Sequence, residues 1–261
     1  MAPVAAMTER GVSLDGGVRG TLAAAAPGPA PCVVFLHGFG GHRNEVGNLF
    51  AKLALRLSER GIASLRIDFP GCGESAGEFG DITIALYARA ARAALRFARS
   101  QPNTAPGRLG LLGYSFGGAV ATTCLRENDI SIRSLALWAP IGNPKVDMIE
   151  SIGAAKAAEA ERNGWTELGW GERKIRLKHA FFASLADAAP VEAVADYDGD
   201  LFVAAGSCDR LVKYADPFYA AARRARSRLQ RVIEGADHFF SGYAEPLLDD
   251  TADFFATTLA R

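Results

Sequence analysis

Six short apolar runs recur along the chain, and longer amphipathic segments separate them. The runs cover residues 32–36, 62–67, 109–112, 134–138, 201–204 and 229–233. Most are continuously apolar and not alternating, which is typical of strands that are buried on both faces of a parallel sheet. Because right-handed crossover helices join such strands, the pattern predicts an α/β fold with a doubly wound, mostly parallel sheet.

The segments between these runs have helical periodicity. Helices are predicted at residues 45–60, 82–99, 214–226 and 245–259. The first of them places Val46, Leu49, Phe50, Leu53 and Leu57 on one helical face. Nearer the start, residues 12–24 are expected to form an antiparallel edge hairpin that turns at Asp15-Gly16-Gly17, and the Ala/Pro/Gly-rich residues 23–31 are expected to form a loop.

One stretch does not follow this alternation of strands and helices. Residues 140–190 contain no convincing buried strand, and they are interpreted as a helical cap inserted over the carboxyl edge of the sheet. The sheet-bearing core would then comprise residues 1–139 and 191–261. An ordinary helix pair on the face of the sheet is the alternative. Four aromatic residues of the stretch, Trp165, Trp170, Phe181 and Phe182, are candidates for binding substrate or for packing inside the cap.

Composition limits the range of partners. The 261 residues fit one large domain, and 29 basic residues balance 29 acidic ones. No basic run indicates a nucleic acid or membrane partner. The first residues lack the apolar core that follows positive charge in a signal peptide, so a cytoplasmic protein is expected. The four cysteines are scattered and away from the histidines, which favours reduced thiols and no metal; no cofactor is expected.

The strongest local motif is Gly113-Tyr114-Ser115-Phe116-Gly117. It follows an apolar run and precedes a helical segment. A G-x-S-x-G string in this setting forms a turn so tight that flanking side chains would clash, and the turn lifts the serine hydroxyl out of the sheet. Ser115 is therefore the candidate nucleophile. The alternative is a glycine-rich helix start with a capping serine.

A second glycine-rich string, His37-Gly38-Phe39-Gly40-Gly41, directly follows the run at 32–36. Acyl transfer forms an oxyanion, which is stabilised by N–H donors held in fixed positions. The backbone N–H groups of Phe39 and Phe116 are predicted to be these donors, while a plain turn is the alternative. His37 is interpreted as structural.

A third loop, residues 68–75, follows the run at 62–67. Asp68 and Glu74 are potential catalytic acids there, but Asp and Ser in a tight glycine loop more often satisfy backbone groups. The loop is therefore expected to shape the floor of the site.

A serine hydroxyl needs an adjacent imidazole. The chain has four histidines, and His238 follows the last predicted strand, where a loop returns to the carboxyl edge. Asp209 follows the run at 201–204 and is expected to orient the imidazole, since the chain order Ser, Asp, His is that of this fold. Its rivals are Asp187, Asp196, Asp198 and Asp200, all earlier in the chain. The side chain of Asp237 is expected to point elsewhere.

Taken together, these motifs resemble the α/β-hydrolase family across nearly the whole chain outside the cap. Residues 37–79 look most similar to bacterial cinnamoyl and feruloyl esterases and to related monoacylglycerol-lipase-like or serine-aminopeptidase-like hydrolases. Pro70 stands where many relatives carry a basic or polar residue. The resemblance implies a triad of Ser115, Asp209 and His238 with an oxyanion hole at Phe39 and Phe116.

The expected function is hydrolysis of small or aryl esters through an acyl-enzyme, with a small-molecule ester as partner and a homodimer as a further possibility. Two alternatives stay open. The same triad serves aminopeptidases and thioesterases, and an acidic ring formed by Glu150, Glu159 or Glu161 would favour a peptidase. The other is a ligand-binding protein on a hydrolase scaffold.

Overall fold

A computed structural model describes residues 7–24, 28–125, 130–170 and 173–260. Residues 1–6 lie outside this range, as does the middle of the loop predicted at 23–31. The described strands are β1 Thr8–Ser13, β2 Arg19–Ala24, β3 Ala30–Leu36, β4 Ala63–Ile67, β5 Thr104–Tyr114, β6 Ser134–Trp138, β7 Trp165–Trp170, β8 Arg173–Lys178, β9 Asp200–Gly206 and β10 Ser227–Ile233. The α-helices are α1 Leu49–Glu59, α2 Ile84–Ser100, α3 Phe116–Cys124, α4 Pro144–Ile152, α5 Ala154–Asn163, α6 His179–Ser184, α7 Pro190–Ala193, α8 Ala215–Ala221 and α9 Ala244–Leu259.

Eight of the strands form one sheet in the order β1-β2-β4-β3-β5-β6-β9-β10. The pairs β1–β2 and β2–β4 are antiparallel, and all later pairs are parallel. The edge hairpin predicted near the start is therefore present, with a short 3₁₀ turn at Asp15–Gly17. The carboxyl ends of the parallel strands share one edge, so the loops after them meet there.

Helices cover both faces of the sheet. Residues of α1 and α9 pack with one set of strand side chains, while α2, α3 and α8 pack with the other set. Strands β3, β6 and β9 are buried on both faces, in keeping with their continuously apolar sequences. The doubly wound α/β prediction is confirmed.

Two predicted boundaries differ from the structure by five residues, and the helix predicted from residue 45 begins four residues later, at Leu49. Strand β5 begins at Thr104, five residues before the apolar run, because its exposed polar start still pairs with β3 through Ala30. Helix α8 ends at Ala221, five residues before the predicted end, because the chain turns there to enter β10; the Arg226 N–H already donates to Gly199 O at 2.8 Å.

The insertion at 140–190 is not helical throughout. Helices α4 and α5 lead into the antiparallel hairpin β7–β8, and α6 follows. The alternation Lys174-Ile175-Arg176-Leu177-Lys178 is a period-two strand signal that aromatic and charged neighbours obscured. Arg176 lies over the Trp165 ring at 4.5 Å, and Lys174 pairs with Glu167 at 2.8 Å. Among the described residues, no helix is long and apolar enough to cross a membrane.

Candidate active site

Ser115 occupies the sharp turn between β5 and α3. Its φ of 54° and ψ of −117° are strained for a residue with a side chain. A Cβ at Gly113 would lie 2.5 Å from Gly117 O, and one at Gly117 would lie 2.2 Å from Leu36 O. Gly113 is therefore required for the turn to close against the start of α3, and Gly117 is required for α3 to pack against the end of β3, as the motif predicts. The Ser115 N–H donates to Trp138 O at 2.8 Å, which ties the turn to β6.

Three loops bring a serine, an imidazole and a carboxylate together at the carboxyl edge. His238 Nε2 lies 3.1 Å from Ser115 Oγ, and His238 Nδ1 lies 2.7 Å from Asp209 Oδ2. Ser115 and Asp209 are buried, at 9% and 4% exposure, whereas the His238 side chain is 27% exposed. The histidine can thus accept the serine proton through Nε2 while Nδ1–H donates to the carboxylate.

The carboxylate of Asp209 is held by its own loop. Its Oδ1 accepts the Leu211 N–H at 3.0 Å, so Asp209 caps the 3₁₀ turn at Arg210–Tyr214 and turns Oδ2 towards His238. A Cβ at Gly206 would lie 2.3 Å from Ala236 O, so only glycine lets the two loops approach this closely.

The loop that carries His238 is fixed separately. The Tyr114 hydroxyl donates to His238 O at 2.8 Å, and the two rings stack with centroids 5.5 Å apart. Asp237 Oδ1 accepts the Phe239 and Ser241 N–H groups, at 3.0 and 2.9 Å. These backbone bonds lower the pKa of Asp237, and they turn its side chain into its own loop, as expected from the sequence. Sequence reasoning did not find the role of Tyr114, because it occupies a variable position of the Gly113–Gly117 motif.

The rival acids lie elsewhere. Asp200 starts β9 at the opposite end of the strand, where it pairs with Arg226 and Ser227. Asp187, Asp196 and Asp198 all precede that strand.

The glycine-rich string after β3 lies beside Ser115. A Cβ at Gly38 would lie 3.5 Å from Ser115 Cβ. The carbonyl of Gly38 accepts from Gly41 N–H at 3.1 Å and from His37 Nδ1 at 2.8 Å, which fixes the peptide that leads to Phe39. On the other side, Phe116 is the first residue of α3, where N–H groups have no partner within the helix. The two predicted donors thus flank the serine.

Buried His37 supports this loop and does not face the serine. Its Nε2 accepts the Phe69 N–H at 2.9 Å, while Nδ1–H donates to Gly38 O. Both ring nitrogens are used in the neutral form, and burial lowers the pKa of His37 to about 4.

The loop after β4 has the structural role that the sequence favours. Asp68 is 1% exposed, and its carboxylate accepts from the backbone N–H groups of Arg43 and Glu74 at 2.6 and 3.0 Å. The Arg43 guanidinium also binds it at 2.7 Å. A Cβ at Gly73 would lie 2.3 Å from this carboxyl group, so the loop closes tightly around it.

A cavity of about 920 Å³ opens above Ser115 and His238. Its apolar wall combines core residues with the insertion: Phe39, Ile141, Met148, Ile152, Leu168 and Leu211. Val46 and Phe239, each about half exposed, lie at its rim. The insertion therefore contributes aliphatic side chains to the cavity, together with the polar Ser151, Lys156 and Glu167.

The aromatic residues of the insertion are placed differently from the substrate-binding prediction. Phe181 and Phe182 are buried in the core, and Trp165 packs under Arg176; none of the three lines the cavity. Complete burial of a large apolar ring stabilises the fold more than partial exposure in an open cavity. Helix α6 directs Phe181 and Phe182 towards the core. The side chain of Trp170 lies outside the described part of the chain.

Phe181 instead packs against the two residues predicted to form the oxyanion hole. Its ring centroid lies 5.3 Å from that of Phe39 and 5.8 Å from that of Phe116. Those two rings lie 6.0 Å apart in an edge-to-face arrangement. The insertion thus buttresses the loop and the helix that flank Ser115.

A doubly wound sheet with a serine at a strand–helix elbow defines the class of α/β hydrolases. The chain belongs to the alpha/beta hydrolase family, whose model matches residues 33–256. Among curated proteins, it is 34% identical over 88 residues to an uncharacterized 31.7 kDa protein of Escherichia coli from the traX-finO intergenic region. That match covers 34% of this chain and 30% of the E. coli protein, so it spans less than a third of that relative's length.

Solved structures with the same fold cover the chain almost completely. Est1E from Butyrivibrio proteoclasticus with bound ferulic acid is similar with a TM-score of 0.76 at 22% identity, over 97% of this chain and 100% of that one. A putative hydrolase from Agrobacterium vitis gives 0.74 at 19% identity, over 96% and 99%. A Pyrococcus furiosus esterase gives 0.69 at 18% identity, over 97% and 93%.

Proposed function

We propose that this hydrolase cleaves carboxylic esters through a covalent acyl-enzyme on Ser115. The observation that carries the proposal is the continuous contact from Ser115 Oγ to His238 Nε2 at 3.1 Å and from His238 Nδ1 to Asp209 Oδ2 at 2.7 Å. A serine, its base and an orienting carboxylate in this geometry are the requirements for nucleophilic acyl transfer.

In the proposed cycle, His238 Nε2 takes the hydroxyl proton as Ser115 Oγ attacks the ester carbonyl. The oxyanion is stabilised by the N–H groups of Phe39 and Phe116, and Asp209 stabilises the imidazolium. His238 then gives the proton to the departing alcohol. Water, activated by the same imidazole, releases the acid and restores Ser115.

The walls of the cavity favour esters with an apolar acyl or aryl group. Met148, Ile152 and Leu168 present aliphatic side chains towards the space above the serine. A cavity of about 920 Å³ is large enough for an aryl or medium-chain ester. The similar structures that are esterases agree with this choice, although their identity to this chain is low.

Two of the three acidic residues that would favour a peptidase are engaged in other contacts. Glu150 pairs with Arg210 at 3.1 Å, and Glu159 binds Lys156 and Thr166 at 3.1 and 2.6 Å. Ester hydrolysis is therefore preferred to recognition of a free amino terminus.

The test compares wild type with Ser115→Ala on p-nitrophenyl esters of increasing acyl length, methyl ferulate, an aminoacyl amide and a thioester. Ser115→Ala should lower ester turnover by about 10⁴-fold or more. The matched control Ser100→Ala, at an exposed serine that ends α2, should turn over esters like wild type. A fluorophosphonate should label Ser115 alone. Turnover by Ser115→Ala close to wild type, or preference for the amide, would refute the proposal.

A further inference from the structure

Glu45 is a buried carboxyl group inside the active-site cavity that the proposed cycle does not use. It follows β3 on the loop before α1 and is 4% exposed. Its φ of 60° is unfavourable for a residue with a side chain. Strain of this kind persists only where the surroundings fix the conformation, and it concentrates at functional sites.

Each carboxylate oxygen of Glu45 accepts one backbone hydrogen bond. Oε1 accepts the Gly38 N–H at 2.6 Å, and Oε2 accepts the Val46 N–H at 3.1 Å. The short first bond is typical of a charge-assisted contact. Gly41 leaves room for the carboxylate, because a Cβ there would lie 2.7 Å from Oε1.

Glu45 holds the peptide that joins His37 to Gly38, which directly precedes the peptide of the Phe39 N–H. The N–H of Gly38 is held by Glu45, and its C=O is held by His37 Nδ1–H and Gly41 N–H. A trans peptide is planar, so the Phe39 N–H points opposite to the Gly38 C=O. Hydrogen bonds hold the peptides on both sides of Gly38, so its φ and ψ angles are restricted. The direction of the Phe39 N–H is therefore restricted as well.

We propose that Glu45 is a positioning residue that holds the oxyanion-binding Phe39 N–H in its productive orientation. This inference rests on the proposed function, since it concerns the same oxyanion hole. Glu45 touches neither the nucleophile nor the base in this role; it acts through Gly38. Because an oxyanion hole works by preorganised donors, a loosened peptide should weaken stabilisation of the transition state more than binding of the ester.

The charged and titratable groups that influence Glu45 come from several elements. They are His42 on its own loop, His238 after β10, Tyr114 at the end of β5 and Cys72 in the loop after β4. Burial raises the pKa of Glu45, and the two backbone hydrogen bonds oppose that rise.

Glu45→Gln is the most direct test. The glutamine has one acceptor oxygen, so either Gly38 or Val46 would face an N–H donor. We expect kcat for a p-nitrophenyl ester to fall by about 10- to 100-fold, since loss of a whole oxyanion donor costs about 10²- to 10³-fold. KM should stay within about threefold. Affinity for a trifluoromethyl ketone, which mimics the oxyanion, should fall in proportion to kcat/KM.

Two further variants separate positioning from folding. Gly41→Ala keeps the charge of Glu45 but pushes its carboxylate aside, and it should reproduce the loss of kcat even if Glu45→Gln fails to fold. Glu59→Gln makes the same chemical change at an exposed carboxylate that ends α1, and it should turn over ester within about twofold of wild type.

The outcomes distinguish this inference from the proposed function. Fluorophosphonate labelling of wild-type Ser115, with kcat and ketone affinity unchanged in both Glu45→Gln and Gly41→Ala, would overturn the role of Glu45 alone. A rise in KM without a change in kcat would overturn it too. Absence of both labelling and ester turnover in the wild type would overturn the proposed function and this inference with it.

Discussion

Acid should destabilise the protein through His37, the fully buried imidazole directly after β3. Its Nδ1–H donates to Gly38 O at 2.8 Å, and its Nε2 accepts the Phe69 N–H at 2.9 Å. Protonation would place an N–H on Nε2 against the Phe69 N–H and bring a charge into the core. The folded state therefore resists protonation, and its pKa is lowered to about 4, chiefly by burial.

The size and sign of the effect follow from proton linkage. Between the ordinary value of 6.5 and about 4, the unfolded chain binds a proton at His37 and the folded chain does not. The free energy of unfolding therefore rises with pH in this window and is lost as pH falls through it. At about 1.4 kcal/mol per pH unit, His37 contributes about 3 kcal/mol that is present above pH 6.5 and lost near pH 4.

Urea unfolding at several pH values between 7 and 4 measures this contribution. His37→Gln removes the titrating group, so its unfolding free energy should start lower at pH 7 but fall less as the pH drops, by about 3 kcal/mol over the window. His42→Gln, the same substitution at an exposed histidine, is the matched control. The reasoning is refuted if His37→Gln and wild type lose stability in parallel.

Two further changes test how the insertion supports the site. Phe181→Ala and Phe218→Ala, which truncate equally buried rings of α6 and α8, should each lower the free energy of unfolding by about 3–5 kcal/mol. Only Phe181→Ala should also lower kcat, because only Phe181 packs against Phe39 and Phe116. Equal kcat values for the two variants would contradict the buttressing role. Asp147→Ala removes a fully buried carboxylate of α4 that accepts hydrogen bonds from the Asn143 N–H and the Tyr214 hydroxyl, each at 3.1 Å. The free energy of unfolding, measured with urea or heat, should fall by about 1–3 kcal/mol. A smaller change would show that solvent replaces these bonds.

The candidate site could be predicted from short motifs, because in this fold the site residues follow particular strands of the sheet. The glycines beside Ser115 are dictated by a turn that no side chain would fit, and this requirement is visible in the sequence. The positions of Asp209 and His238 follow from counting strands, since loops after parallel strands meet at one edge. Local pattern and chain order were sufficient for these residues.

The insertion shows where that reasoning stops. The aromatic residues of the stretch were candidates for contacting substrate. Phe181, however, is buried behind the loop that carries Phe39, while Met148 and Leu168 line the cavity. Which side of a short helix or hairpin faces the cavity depends on how the whole insertion docks. No spacing within the insertion encodes that docking.

Local sequence patterns were sufficient to predict the doubly wound sheet, the turn at Ser115 and the chain order of the three candidate catalytic residues, because burial on both faces and backbone sterics act on neighbouring residues. The contacts of Glu45 and Tyr114 with the loops around the serine, and the lining of the cavity by Met148, Ile152 and Leu168, are visible only in the folded protein. Those contacts join residues far apart in the chain or depend on an unusual backbone angle, so their energies arise only once the loops have packed against one another.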